Sequence, residues 1–135
     1  MMLSDVRDHM KSLKLADQVY MGTLPDKQEK SIGVYNSKHQ QEYKTALGGP
    51  QLASYGTKYV TLLIHWNSSP RDSEKAAMAV FEAMETARNV TVNDELIKFI
   101  QPLYEPQDIG KDDAGICEWV IEMAVIYEKG KSEKE

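Results

Sequence analysis

The stretch ICEWVIEMAVIYE, residues 116–128, decides the fold. Read with the two-residue period of a strand, one face carries Cys117, Trp119, Ile121, Met123, Val125 and Tyr127. The other carries Ile116, Glu118, Val120, Glu122, Ala124 and Ile126. The first face is that of a core. The second is mixed, and Val120, Ala124 and Ile126 stand where water would otherwise wet the sheet. Such a strand needs a second cover, either the first helix or another subunit.

The preceding DIGKDDAG, residues 108–115, reads as a polar hairpin turn between Gly110 and Gly115, its acids hydrated. A calcium loop is excluded by position. Counting from Asp108, the third, fifth and twelfth residues are Gly110, Asp112 and Trp119, whereas an EF-hand needs oxygen ligands there and a closing Glu. Further upstream, NVTV (89–92), the turn-prone Asn93–Asp94 and ELIKFIQPLYE (95–105) predict a strand pair, with Pro102 at an edge or ending the pairing.

NSSPRDSEKAAMAVFEAMETA, residues 67–87, predicts a helix with Ser69 as N-cap, Pro70 in the first turn and Asp72 near the positive end of the helix dipole. Ala77, Val80, Phe81, Met84 and Ala87 form its buried face. KYVTLLIHW (58–66) reads as a central strand, with Val60, Leu62, Ile64 and Trp66 on one side and Tyr59, Thr61, Leu63 and His65 on the other. Residues 37–57, rich in Gly and without a period, read as a long excursion loop. Val19–Thr23 and Ser31–Asn36 read as an antiparallel hairpin, its tip exposed around Pro25–Lys30. Leu3, Val6, Met10 and Leu13 form the apolar stripe of a first helix over residues 3–15. The expected fold is α+β, a mostly antiparallel sheet with two helices packed on it, in one domain over residues 1–128. Residues 129–135 are a charged tail expected to be disordered.

The totals narrow the function. With 16 basic against 21 acidic residues, the chain lacks the basic face that sequence-independent nucleic-acid binding requires. The longest apolar runs are far too short to span a membrane, and the first residues lack the apolar core of a signal peptide. The lone Cys117 reads as a small buried hydrophobe. His9, His39 and His65 are too scattered for a metal site, and no acidic partner can be nominated beside His65. Glycine-rich phosphate loops and nucleophile elbows are absent from the sequence. No catalytic, cofactor or metal residue is expected.

Three segments together resemble the small phage and prophage proteins known as minor capsid proteins, and through them the tail terminator, or tail-completion, proteins of long-tailed phages. They are YMGTLPDKQEKSIGVYNS (20–37), YVTLLIHWNSSPRDSEKAAMAVFEAME (59–85) and LIKFIQPLYEPQDIGKDDAGICEWVIEMAVIYEK (96–129). The order of elements carries the resemblance: an N-terminal helix, a Gly-Thr before an I-x-V-Y strand, a central strand feeding a helix, and an aromatic-Pro phrase leading into a long last strand. The long 37–57 excursion departs from typical relatives. The resemblance implies a virion protein without catalytic residues, assembled in the host cytoplasm and forming a ring, six-fold by analogy.

That ring would cap the tail tube and meet a head connector protein, with DNA touching it only in passage, and its subunits can stay monomeric until a template is present. Candidate contact residues are the charged segment Asp26, Lys27, Gln28, Glu29 and Lys30 and the outer-face residues Val120, Ala124 and Ile126. The alternatives are another connector component, a stopper or adaptor on the portal side, and a small enzyme using His39, Glu42, Tyr43 and Tyr55 of the excursion.

Overall fold

The structure, a computed structural model, describes residues 1–25, 28–38 and 54–129. In chain order the elements are α1 (Leu3–Ser12), β1 (Gln18–Met21), β2 (Ser31–Asn36), β3 (Tyr55–His65), α2 (Pro70–Thr86), β4 (Arg88–Val92), β5 (Glu95–Pro102), β6 (Gln107–Lys111) and β7 (Cys117–Glu128). The seven strands form one sheet in the order β1-β2-β3-β7-β5-β4, with β6 also paired to β7. It is an α+β fold with a sheet-dominated core, antiparallel at every pairing except β1 with β2.

β7 is the spine of that sheet. One of its edges pairs with β3 from Glu118 opposite His65 to Glu128 opposite Tyr55; its other edge is shared between β5 and β6. Alternation then sorts the side chains by face. Ile121, Met123 and Val125 join Val60, Leu62 and Ile64 of β3, Ile32 and Val34 of β2, and Ile97 and Ile100 of β5 in one core. Both helices bury their apolar stripes there, Val6 and Met10 from α1 and Val80 and Met84 from α2. Full burial of each such side chain is worth roughly 1.5–3 kcal/mol, so this face dominates stability.

The helices cover different parts of the face. α2 lies on β3, β7 and β5, whereas α1 touches β1, β2 and β4. β1 and β4 are the two ends of the strand order, so a helix reaching both requires the sheet to curl toward its helical face. The bond from α1 to the far edge is polar. Asn93, in the turn between β4 and β5, donates through Nδ2 to Asp5 Oδ1 at 3.0 Å and to Asp8 Oδ2 at 2.8 Å. Asp5 is buried, and its Oδ2 also accepts from the Met2 amide at 2.9 Å, which holds the start of the helix. Asn93 and Asp94 both have positive φ, 50° and 65°, as a two-residue hairpin turn demands.

α2 begins as its sequence dictates. Ser69 Oγ accepts from the Asp72 amide at 3.2 Å, Pro70 opens the first turn, and Asp72 faces the dipole. Pro102 ends β5 rather than placing it at an edge, because β5 lies between β4 and β7.

Four expectations are corrected. The β1–β2 pair is parallel, with Gln18 opposite Ser31 and Met21 opposite Val34. Its linker carries none of the Asn-Gly or Asp-Gly pairs that close a tight hairpin. The chain leaves β1 at Gly22 (φ +87°), returns through Lys30 (φ +53°), and the Asp17 amide donates to the Lys30 carbonyl at 2.8 Å. The central strand starts at Tyr55 rather than Lys58. Residues 107–111, taken as loop and turn, are strand β6. Finally, α1 shares the core face with α2 and does not cover the outer face of β7. Residues 39–53 of the expected 37–57 excursion and the tail beyond residue 129 lie outside the described residues.

Candidate functional site

Two regions outside the core combine chemistry with access. The larger is the outer sheet face. Here Tyr55, Thr57 and Tyr59 of β3, Lys98, Phe99 and Gln101 of β5, Leu103, and Ala124 and Ile126 of β7 line a groove of about 530 Å³. The register explains it: Thr57 and Phe99 flank Ile126, and Tyr59 and Gln101 flank Ala124, so small and mid-sized side chains on the spine lie between larger neighbours. Phe99 and Tyr55 are 44% and 39% exposed, which is high for aromatic rings. The groove is mainly apolar, with polar groups at its rim.

Next to the groove the same face carries a buried carboxylate. Glu122 Oε1 accepts from Ser37 Oγ at 2.7 Å and from Thr61 Oγ1 at 2.8 Å. Two hydroxyl donors offset part of the cost of removing that charge from water.

The second region lies where β3 ends. His65 is buried, and its Nδ1 is 2.5 Å from the Gln28 carbonyl oxygen while its Nε2 is 2.7 Å from Asp112 Oδ2. Glu118, directly across the ladder from His65, brings Oε2 to 4.0 Å from Nε2. Burial opposes charge on His65, but the Asp112 carboxylate, the Gln28 carbonyl and Glu118 outweigh it and raise the imidazole pKa. Asp112 is lowered by its hydrogen bond to His65 and by the amides it caps. Glu118 is raised by burial and by Asp112. Asp112 is therefore not simply hydrated, although Asp108 and Asp113 of the same turn are exposed, and His65 has two acidic neighbours where the sequence nominated none. The missing signal was register, which alone sets Glu118 opposite His65.

The candidate contact residues separate. Asp26 and Lys27 lie outside the described residues. Gln28, Glu29 and Lys30 are not the tip of a hairpin, because the pair they join is parallel; they run back along the end of β3, with the Lys30 amide donating to the Trp66 carbonyl at 2.8 Å. The Glu29 and Lys30 side chains remain exposed. Ala124 is buried, Ile126 is half-buried, and both line the groove; Val120 is half-buried between Leu63 and Gln107 and lies outside it. Sequence reasoning missed Tyr55, Phe99 and Leu103 as groove residues. The early start of β3 hid the first, and the irregularity between Ile97 and Phe99 hid the second by turning an aromatic ring onto the outer face.

The sheet thus carries helices on one side and a shallow, mainly apolar groove on the other. Residues 6–129 match the model of the bacteriophage tail terminator protein family, and the chain belongs to that family. No curated protein matches the chain. Family membership makes it a structural component of the virion, acting in completion of the phage tail. No helix among the described residues is long and apolar enough to cross a membrane.

Proposed function

We propose that this protein closes the finished tail tube as a ring of identical subunits, six by analogy with its relatives, and forms part of the head–tail joint. The observation that carries the reading is the outer-face groove. Exposed Phe99 and Tyr55 beside Ile126 and Leu103 make an apolar surface that a single chain leaves in water. A head-to-tail ring gives each subunit two different contact surfaces, and closure by rotation leaves neither open. The groove is one of them. The exposed side chains of Glu29 and Lys30 suit a polar contact with the tail tube protein or a neighbouring subunit. DNA would traverse the ring without a sequence-reading contact, in keeping with the acidic balance of the chain. Assembly would take place in the host cytoplasm, before heads and tails join.

The test is to mix purified protein with purified tail tubes and inspect the tube ends by negative-stain electron microscopy, with mass photometry of the protein alone. The expected result is a ring confined to one end of each tube. Binding to portal-bearing heads, with bare tube ends, would refute the capping role and point to a stopper or adaptor.

A further inference from the structure

We propose that His65, Asp112 and Glu118 form a binding site for one divalent transition-metal ion, of the zinc or manganese type. The Gln28 carbonyl oxygen can only accept, so the 2.5 Å contact places a proton on His65 Nδ1. In the neutral ring Nε2 then presents a lone pair, and it faces Asp112 Oδ2 at 2.7 Å. Asp112 cannot turn away easily. Its Oδ1 accepts from the Ala114 amide at 2.9 Å and the Ile116 amide at 3.0 Å, which aims Oδ2 at the ring.

A lone pair against a carboxylate oxygen at that distance is repulsive, so a positive charge must lie between them: a proton or a metal ion. A proton on Nε2 hydrogen-bonds Asp112 alone. Glu118 Oε2, at 4.0 Å from Nε2, is beyond hydrogen-bond reach, and its side chain is only 22% exposed. A metal ion serves all three groups, whose donor atoms lie within 4.8 Å of one another. At metal–ligand distances of about 2.1 Å, tetrahedral neighbours stand about 3.4 Å apart. Reaching that geometry requires the His65–Asp112 contact to open and the His65–Glu118 contact to close, each by less than about 1 Å, and the two carboxylates, now within 4.8 Å, to draw together by side-chain rotation.

The supporting contacts are those of a metal site. The carbonyl on Nδ1 fixes ring orientation and tautomer, and the two amides fix the carboxylate. One imidazole nitrogen with two carboxylate oxygens suits zinc or manganese, and three protein ligands leave a fourth position for water or a group from a partner. The three ligands come from the end of β3, the β6–β7 turn and the start of β7, while Gln28 ties in the return from β1. A bound ion would thus fasten three segments at one end of the sheet.

The experiment uses the full chain, tag removed and stripped with a chelator, titrated with zinc chloride and with manganese chloride by isothermal calorimetry. One ion per chain is expected. Glu118→Gln, which keeps the His65–Asp112 contact, should weaken binding at least about tenfold, while Cys117→Ser should bind as the parent does. Absence of binding up to millimolar metal, equal binding by parent and Glu118→Gln, or loss of binding only in Cys117→Ser would overturn the site. Because Glu118→Gln could perturb folding, nitrogen-15 spectra of the unsubstituted protein give a second reading. Zinc should move the His65 Nε2 resonance; shifts confined to His9 or His39 would refute the proposal.

Discussion

Replacing Phe99 by Ser tests whether the outer groove is a subunit contact. The ring is 44% exposed in the single chain. Taking roughly 200 Å² for a whole phenylalanine, about 90 Å² is available for burial by a neighbour. At ~25 cal/mol per Å² that area is worth about 2 kcal/mol per contact, or roughly a thirty-fold change in the association constant. The costs of immobilising a subunit are common to parent and variant, so the difference is safer than any absolute affinity. Around a closed ring the loss compounds at every contact. The fold should survive, because the ring is already partly in water and lies outside the helix-covered core. The assay counts capped tube ends against protein concentration, alongside a denaturant melt. Capping by Phe99→Ser at the parent's concentration, with an unchanged melt, would refute the assignment of the groove.

Three further outcomes follow from particular contacts. Asn93→Ala removes two hydrogen bonds to carboxylates and leaves a side chain unsuited to φ near 50°; a loss of about 2–3 kcal/mol is expected in urea melts, and Asn93→Gly should recover the backbone share alone. His9 is held neutral by burial, its pKa lowered, so the unfolded chain binds the proton first. Its contribution therefore falls as pH drops through the unfolded value of about 6.5, and the urea midpoint of the parent relative to that of His9→Gln should fall from pH 8 to pH 5; a constant difference would contradict the assignment. Val120→Asp places a charge on a half-buried position near Glu118 and Glu122. It should lose about 1–3 kcal/mol yet remain folded and assemble more weakly, whereas an unfolded monomer would assign Val120 to the core.

What the sequence disclosed was local. Ser69, Pro70 and the spacing of Val80 and Met84 announce α2 within one stretch, and Asn93–Asp94 announces its turn. The faces of β7 also emerge from alternation alone, since Ile121, Met123 and Val125 are fully buried. Pairing direction is a different kind of information. Between Met21 and Ser31 the sequence lacks a tight-turn pair but carries no mark of a parallel return either, and the parallel outcome depends on β1 finding an edge beside β2. β6 escaped notice because all its residues are exposed and only Ile109 is apolar, leaving no period to detect. The His65 cluster was hidden for a related reason: its members are brought together by the β3–β7 register and the geometry of the 112–116 turn.

The first helix touches both end strands of the sheet, and this orders the protein's birth. α1 leaves the ribosome before the strands of this sheet, but its stripe needs β1 and β2 on one side and β4 on the other. Asn93, which donates to Asp5 and Asp8, is made some eighty residues later. α1 must therefore wait for its full set of contacts until β4 and the Asn93 turn have emerged. Closing contacts of such long sequence separation is slow. A helix made before its sheet is among the last elements to complete its contacts.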